Sequence, residues 1–146
     1  MADLRKPTET EIAAWARLMK ASTKLLAQVE RDLREAGLPP LAWYDALLEL
    51  YRARPDGLRP GDLQQEMLLP QYNVSRLVDR LEASGYAVRR PHPRDGRGQV
   101  LQITDTGTDL IKRMWTVYGR AITANLALKL DRGEAGKLAE LLQRLL

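Results

Sequence analysis

The stretch Leu63–Ile103 reads LQQEMLLPQYNVSRLVDRLEASGYAVRRPHPRDGRGQVLQI, and the order of its punctuation decides the fold. Pro60 is the first residue of a short helix over about Asp62 to Met67, with Leu63 and Met67 on its inner face. After Pro70, a second helix of about four turns is expected from near Gln71, stopping at Gly85. Val74, Leu77, Val78 and Leu81 recur at helical spacing and form its inner stripe. Strands follow at Tyr86–Arg90 and Gln99–Ile103, joined by Pro91-His92-Pro93-Arg94-Asp95-Gly96-Arg97-Gly98, whose prolines and glycines forbid helix and make a protruding loop. An isolated hairpin is marginal in water, so this one has to lean on a helical body.

Charge on this stretch is of one kind. From Gln71 to Gly98 there are six arginines (Arg76, Arg80, Arg89, Arg90, Arg94 and Arg97), no lysine, and three acids, Asp79, Glu82 and Asp95. An ordinary solvated surface mixes lysine in, whereas arginine alone suits phosphates and guanine edges, where a planar fork of donors outperforms a point charge. Opposite the apolar stripe, the second helix carries Tyr72, Arg76 and Asp79, flanked by Asn73, Ser75 and Arg80. Its N-terminal half is free of acids, and the backbone N–H groups of a helix N-terminus also favour phosphate.

Long amphipathic helices are expected on either side. Thr8 with Glu11 forms a capping box for a helix from about Glu9 to Ala36, ended by Gly37 and Pro39-Pro40. Its stripe, Ile12, Trp15, Met19, Ser22, Leu26, Val29 and Leu33, alternates spacings of three and four. A helix of that length outruns a small domain, which points to packing against a partner subunit, with a seam inside the chain as the alternative. A second helix, about Leu41 to Arg54, buries Tyr44, Leu47, Leu48 and Tyr51 before the turn Pro55-Asp56-Gly57. Thr104 is the expected N-cap of a helix running to about Leu130, and Asp131 with Glu134 opens a last one with Leu138, Leu141, Leu142 and Leu145 inward.

With 146 residues, 45% hydrophobic and 29% charged, the chain suits one domain, residues 1–146, with a core of its own. A net charge of +4 is a mild prior for a polyanionic partner. Apolar runs are short, so no membrane span is expected. The polar start, MADLRKPTETE, is not expected to be a signal peptide, which makes a cytoplasmic location the default expectation. The absence of cysteine excludes disulfides, thiolate metal sites and cysteine-based redox sensing. One histidine, His92 in the loop, is a poor metal site without partners. Gly133-Glu134-Ala135-Gly136-Lys137 is too short for a phosphate loop and no Ser or Thr follows the lysine. Asn73-Val74-Ser75 fits a glycosylation pattern but falls on a helix. No catalytic residue, metal or cofactor is expected, and an enzyme is not.

Two leading helices followed by helix, helix and hairpin form a winged helix-turn-helix: a mainly α fold with a small β-hairpin wing. The run Asn73-Val74-Ser75-Arg76-Leu77-Val78-Asp79-Arg80-Leu81-Glu82, then Gly85-Tyr86, Arg94-Asp95-Gly96-Arg97 and Leu101-Gln102-Ile103-Thr104-Asp105-Thr106-Gly107, resembles the MarR family of bacterial transcriptional regulators. The likeness spans nearly the whole chain, because the long first helix and the two C-terminal helices match that family's dimerisation region. It implies residues 8–36 and 104–146 as a helical dimerisation region and 40–103 as the winged helix-turn-helix lobe. It also implies a homodimer on a pseudo-palindromic operator in double-stranded DNA. Gln71, Tyr72, Asn73, Ser75, Arg76 and Arg80 then face bases or phosphates, while Arg94 and Arg97 of the wing reach toward the minor groove, where narrow A·T-rich stretches attract arginine. Asp95 is expected to brace the wing by pairing with Arg97. His92 and Pro70 depart from the family, which usually has an acid before the wing tip and often a capping Ser or Thr at the start of the helix.

Members of the family often bind a small anionic or phenolic effector between the dimer region and the reading head. By that resemblance Trp15, Met19, Trp43, Tyr44 and Trp115 line such a crevice, with Arg17 or Lys20 available to an anion; the same aromatics at helical spacing also serve as ordinary core. Two other functions stay open on the residues alone. A non-specific architectural binder would use the same arginine surface and bind all duplexes equally. A winged-helix protein-interaction module would bind none, and the arginine-only surface speaks against it.

Overall fold

Thr8 begins the ordered helical frame. In the computed structural model, which describes residues 4–70, 73–94 and 98–146, its side chain accepts from Glu11 N at 3.2 Å while the Glu11 carboxylate accepts from Thr8 N at 2.8 Å. This capping box opens α1, Glu9–Glu35. The guanidinium of Arg5 holds the Glu11 carboxyl down at about 2, so the cap stays ionised in all but strong acid. Helix α2, Leu41–Arg52, has Pro40 in front of it and no side-chain cap of its own. Glu30 of α1 supplies one, accepting from Leu41 N at 2.7 Å and tying the two helices at their junction.

Helix α3 spans Pro60–Glu66, with proline in the first turn as expected. Helix α4 spans Val74–Ala83, three residues later than the sequence reading and nearer three turns than four. The cause is Asn73. It is in a non-helical conformation, and its side-chain carbonyl accepts from Arg76 N at 2.9 Å, so it is the cap and not part of the first turn. Strands β1, Ala87–Pro91, and β2, Gln99–Ile103, pair antiparallel from Ala87 opposite Ile103 to Pro91 opposite Gln99. Leu58 extends the pairing on the other edge of β2 through two hydrogen bonds with Leu101, at 3.0 and 2.7 Å. Gly57 makes that approach possible: its φ is +83° and a Cβ there would lie 2.3 Å from the Leu101 carbonyl oxygen.

Helix α5, Asp105–Ile122, is capped by Thr104, which accepts from Gly107 N at 3.0 Å and donates to Gly85 O at 2.7 Å. A side chain at Gly107 would collide with the Tyr86 carbonyl oxygen at 2.2 Å, so this glycine lets α5 start against the root of the wing. The helix does not run regularly to Leu130 as expected. At Thr123–Ala127 it widens to a π-helical turn. Within and beside this turn Thr123 and Asn125 donate from their side chains to carbonyls four residues back, Gly119 O and Ala121 O. Helix α6, Arg132–Gln143, opens on the Asp131–Glu134 capping box.

One core joins these elements. Leu33 of α1, Leu47 and Leu50 of α2, Leu63 of α3, Val78 and Leu81 of α4, Val100 and Leu101 of β2, and Leu110 and Met114 of α5 are all fully buried. Only Val29 and Leu33 of α1 are buried, however, and α6 contributes no buried residue. The stripe on α1 leaves Ile12 at 53% and Trp15 at 66% exposure, and Leu141 of α6, expected inward, is 43% exposed. Trp15 and Leu141 face a groove of about 660 Å³ that is also lined by Leu18, Leu25, Leu138, Leu142 and Leu145. Among the described residues no helix is long and apolar enough to cross a membrane.

Candidate nucleic-acid interface

The inner stripe of α4 decides what its outer face presents. Val74, Leu77, Val78 and Leu81 are buried against the core, which leaves Asn73, Ser75, Arg76, Asp79 and Arg80 exposed on one end and side of the helix. Asn73 has a structural duty as cap, so its side-chain oxygen is already engaged and only its amide N–H groups are left to donate outward. Ser75, Arg76 and Arg80 carry no such engagement among the described hydrogen bonds. They offer a hydroxyl and two guanidinium forks beside the acid-free N-terminus of the helix, a donor set suited to phosphate and guanine.

The acids further along α4 are matched from within the fold. Arg89 of β1 donates to Asp79 at 2.8 Å and to Glu82, and its backbone N–H donates to Glu82 at 3.2 Å. Its guanidinium is held all the more firmly protonated, by the Asp79 hydrogen bond above all. This corrects the reading of the six arginines as one outward surface: Arg89 is a latch between β1 and α4. The signal was two acids three residues apart near a strand arginine, but their meeting depends on how the wing folds back.

At the wing, Arg94 is exposed and its guanidinium lies 3.6 Å from Asp56, both at the surface, while Arg90 is exposed on β1. His92 is half-buried, and its Nδ1 accepts from Arg94 N at 3.1 Å, folding the loop beneath the arginine. Gln71, Tyr72, Asp95 and Arg97 lie outside the described residues, and with them the expected Asp95–Arg97 brace.

The five aromatic and methionine residues expected around one crevice are divided among three places. Trp15 lines the α1–α6 groove with Arg17, and Met19 is 41% exposed on α1. Trp43 is edge-on to Tyr86 at 6.0 Å and borders a groove with Asn73, Arg76 and Arg80. Only Tyr44 and Trp115 meet, stacked at 6.3 Å, and Tyr118 stands edge-on to both at 5.3 and 5.7 Å. These three line a cavity of about 570 Å³ together with Asp45, Glu49, Arg52 and Glu66. Neighbours on a helix diverge by about 100°, which is why Trp43 and Tyr44 end on different sides of α2.

Asp45 is the residue that the sequence reading missed. It is 6% exposed, and its carboxylate accepts from Leu68 N at 2.9 Å and Leu69 N at 2.7 Å, in the segment between α3 and α4. An acid between Tyr44 and Ala46 on an otherwise apolar helix face was the available hint.

A profile of the MarR family matches residues 36–98. Over 95 residues the chain is 33% identical to the HTH-type transcriptional regulator YkoM of Bacillus subtilis, the alignment covering 63% of this chain and 58% of that one. Over 89 residues it is 26% identical to the multiple antibiotic resistance protein MarR of Escherichia coli, covering 61% and 62%. The chain therefore aligns with less than two thirds of the length of these curated relatives. Among solved structures it superposes on Sco3205, a MarR family transcriptional regulator from Streptomyces coelicolor in complex with DNA, with a TM-score of 0.88 and 25% identity over 99% of this chain and 91% of that one. It superposes on AbsC of the same organism with a TM-score of 0.84 and 23% identity over 97% and 95%. Profile, relatives and superposition agree with the winged helix-turn-helix built above, and over residues 36–98 they show a MarR-family winged helix-turn-helix.

Proposed function

We propose that this protein is a transcriptional regulator that binds double-stranded DNA as a homodimer on a pseudo-palindromic operator. The observation that carries the reading is the outer face of α4. Ser75, Arg76 and Arg80 are exposed, while Asp79 and Glu82, which would repel phosphate, are matched by Arg89. In this reading α4 enters the major groove and Arg94 reaches from the wing toward the minor groove. The region 40–103 reads DNA, and the helices within 8–36 and 104–146 hold two copies with heads roughly one helical turn (~34 Å) apart. The exposed apolar groove between α1 and α6 supports the pairing of copies.

The test uses a duplex selected from random DNA on the purified protein. Arg76→Ala is expected to weaken binding to it by about 1–3 kcal/mol if the guanidinium is bidentate on guanine, with little change on scrambled duplex. Equal affinity of the unaltered protein for all duplexes would favour an architectural binder instead. Arg94→Ala is expected to weaken selected and scrambled duplexes alike and to lower the slope of log K against log salt by about 1. A slope that does not move would remove the wing contact.

The aromatic cavity is proposed as the effector site whose occupation releases DNA. Its support is mechanical. Asp45 lines the cavity and also holds the backbone N–H groups of Leu68 and Leu69, five and four residues ahead of Asn73, the cap of α4. A molecule that draws on this carboxylate changes the hold on the segment leading into the reading helix.

A further inference from the structure

The cavity between α2, α5 and the segment after α3 carries charge of the same sign as an anionic effector, one of the two kinds, anionic or phenolic, that the family resemblance implies. Asp45, Glu49 and Glu66 line it, against one cation, Arg52. Arg52 is already committed, donating to Glu49 at 2.8 Å, so this pair cancels and leaves Asp45 and Glu66. Asp45 is buried, and Glu66 has no ion-pair partner among the described residues. Arg17 and Lys20, the cations available to an anion on the sequence reading, are not among the lining residues, and Arg17 borders the α1–α6 groove.

The apolar part of the lining points the same way. Tyr44 and Trp115 are nearly parallel, at 19°, and Tyr118 stands at 81° and 83° to them, so the three rings form a corner with faces in two directions. Ring faces carry the negative side of the aromatic quadrupole and attract cations. Trp115 is 51% exposed, so its indole is accessible from outside the core. The Tyr118 hydroxyl is pushed up, by burial first and by the charge of Asp45 second, which is the response of an acid in a negative field. A carboxylate ligand would enter beside a buried carboxylate and over negative ring faces, and both repel it. The volume of about 570 Å³ is in the range of small-molecule sites, ~300–1,000 Å³.

We propose that this cavity binds an aromatic or lipophilic organic cation, such as a quaternary ammonium, seated on Tyr44, Trp115 and Tyr118 with its charge toward Asp45 and Glu66. The assignment rests on the reading of this cavity as the effector site and narrows it to a chemical class. A cation drawn to Asp45 would also compete with the Leu68 and Leu69 N–H groups for that carboxylate.

The experiment is calorimetric titration of the full chain with benzyltrimethylammonium, with phenylacetate as an anion of similar shape and benzyl alcohol as a neutral ring, followed in parallel by tryptophan emission. The cation is expected to bind about 10-fold or more tightly than either of the others. Trp115→Ala is expected to weaken it about 2–30-fold, and Trp115→Phe, which keeps a ring face, to weaken it less. Glu66→Gln, at an exposed position, is expected to weaken the cation and leave benzyl alcohol unchanged. Phenylacetate binding as tightly as the cation overturns the cationic class while leaving an effector site in place. Cation binding indifferent to Trp115→Ala overturns the placement. No saturable binding of any of the three overturns class and effector site together. Duplex affinity is measured separately: tight cation binding that leaves it unchanged supports the cation site and sinks the effector reading.

Discussion

A chain carrying Leu141→Glu is expected to run as a monomer by light scattering and to lose on the order of 10²–10⁴-fold in affinity for the selected duplex. Leu141 lies on the apolar side of α6, in the groove with Trp15 and Leu18 of α1, and is 43% exposed in a single chain. Within one copy a carboxylate there stays in water and costs little. In a dimer that covers the groove it is buried without a partner, and the association pays its desolvation. One reading head on one half-site has lost the second contact that the paired helices deliver at fixed spacing, so the whole avidity term disappears. Lys137→Gln, an exposed change on the same helix, is the control and should leave mass and affinity as they were. An unaltered chain that is itself monomeric, or a Leu141→Glu chain that remains dimeric, would undo the pairing through this groove.

Asp45→Ala is expected to destabilise the fold by about 2–6 kcal/mol in denaturant unfolding, since two N–H groups lose their acceptor at about 1–3 kcal/mol each. Water reaching the part-exposed turn would draw the value toward the lower end. Beyond stability, the Leu68–Leu69 segment would lose its tie to α2, and the start of α4 with it. Duplex affinity should therefore fall under conditions where the protein is still folded, although Asp45 is buried and is not on the outer face of α4. Asp45→Asn separates the two effects. Its amide oxygen can still accept from one N–H, so it should recover part of the stability. Duplex affinity equal to that of the unaltered chain in folded Asp45→Ala would cut the proposed link between cavity and reading helix.

Much of the helical frame was legible because its signals are local. Thr8 with Glu11, Thr104, and Asp131 with Glu134 satisfy backbone groups within three residues of themselves, so type and spacing suffice to place them. The buried face of α4 was legible for a similar reason, since Val74, Leu77, Val78 and Leu81 recur at the helical period whatever they pack on. Where two local signals competed, the boundary moved. Pro70 marked one possible start of α4, but Asn73 captures Arg76 N and places it at Val74. The π-helical turn at Thr123–Ala127 was hidden, because the same apolar periodicity is compatible with an unbroken helix.

The candidate site divides along the same line. By itself the sequence determined that a short acid-free helix N-terminus would present Ser75, Arg76 and Arg80 outward, since the apolar stripe opposite them has to be buried. Tertiary structure decided which charges remain for a partner. It brings Arg89 onto Asp79 and Glu82 from seven to ten residues away. It carries the Leu68 and Leu69 N–H groups to Asp45 across 23 and 24 residues. It also turns Tyr44 toward Trp115 and Tyr118 while sending Trp43 to Tyr86. Periodicity tells which face of an element is buried, but not which element buries it. The mates of Asp45, Arg89 and Tyr44 are therefore set by the packing of α2, α5 and the wing around one core.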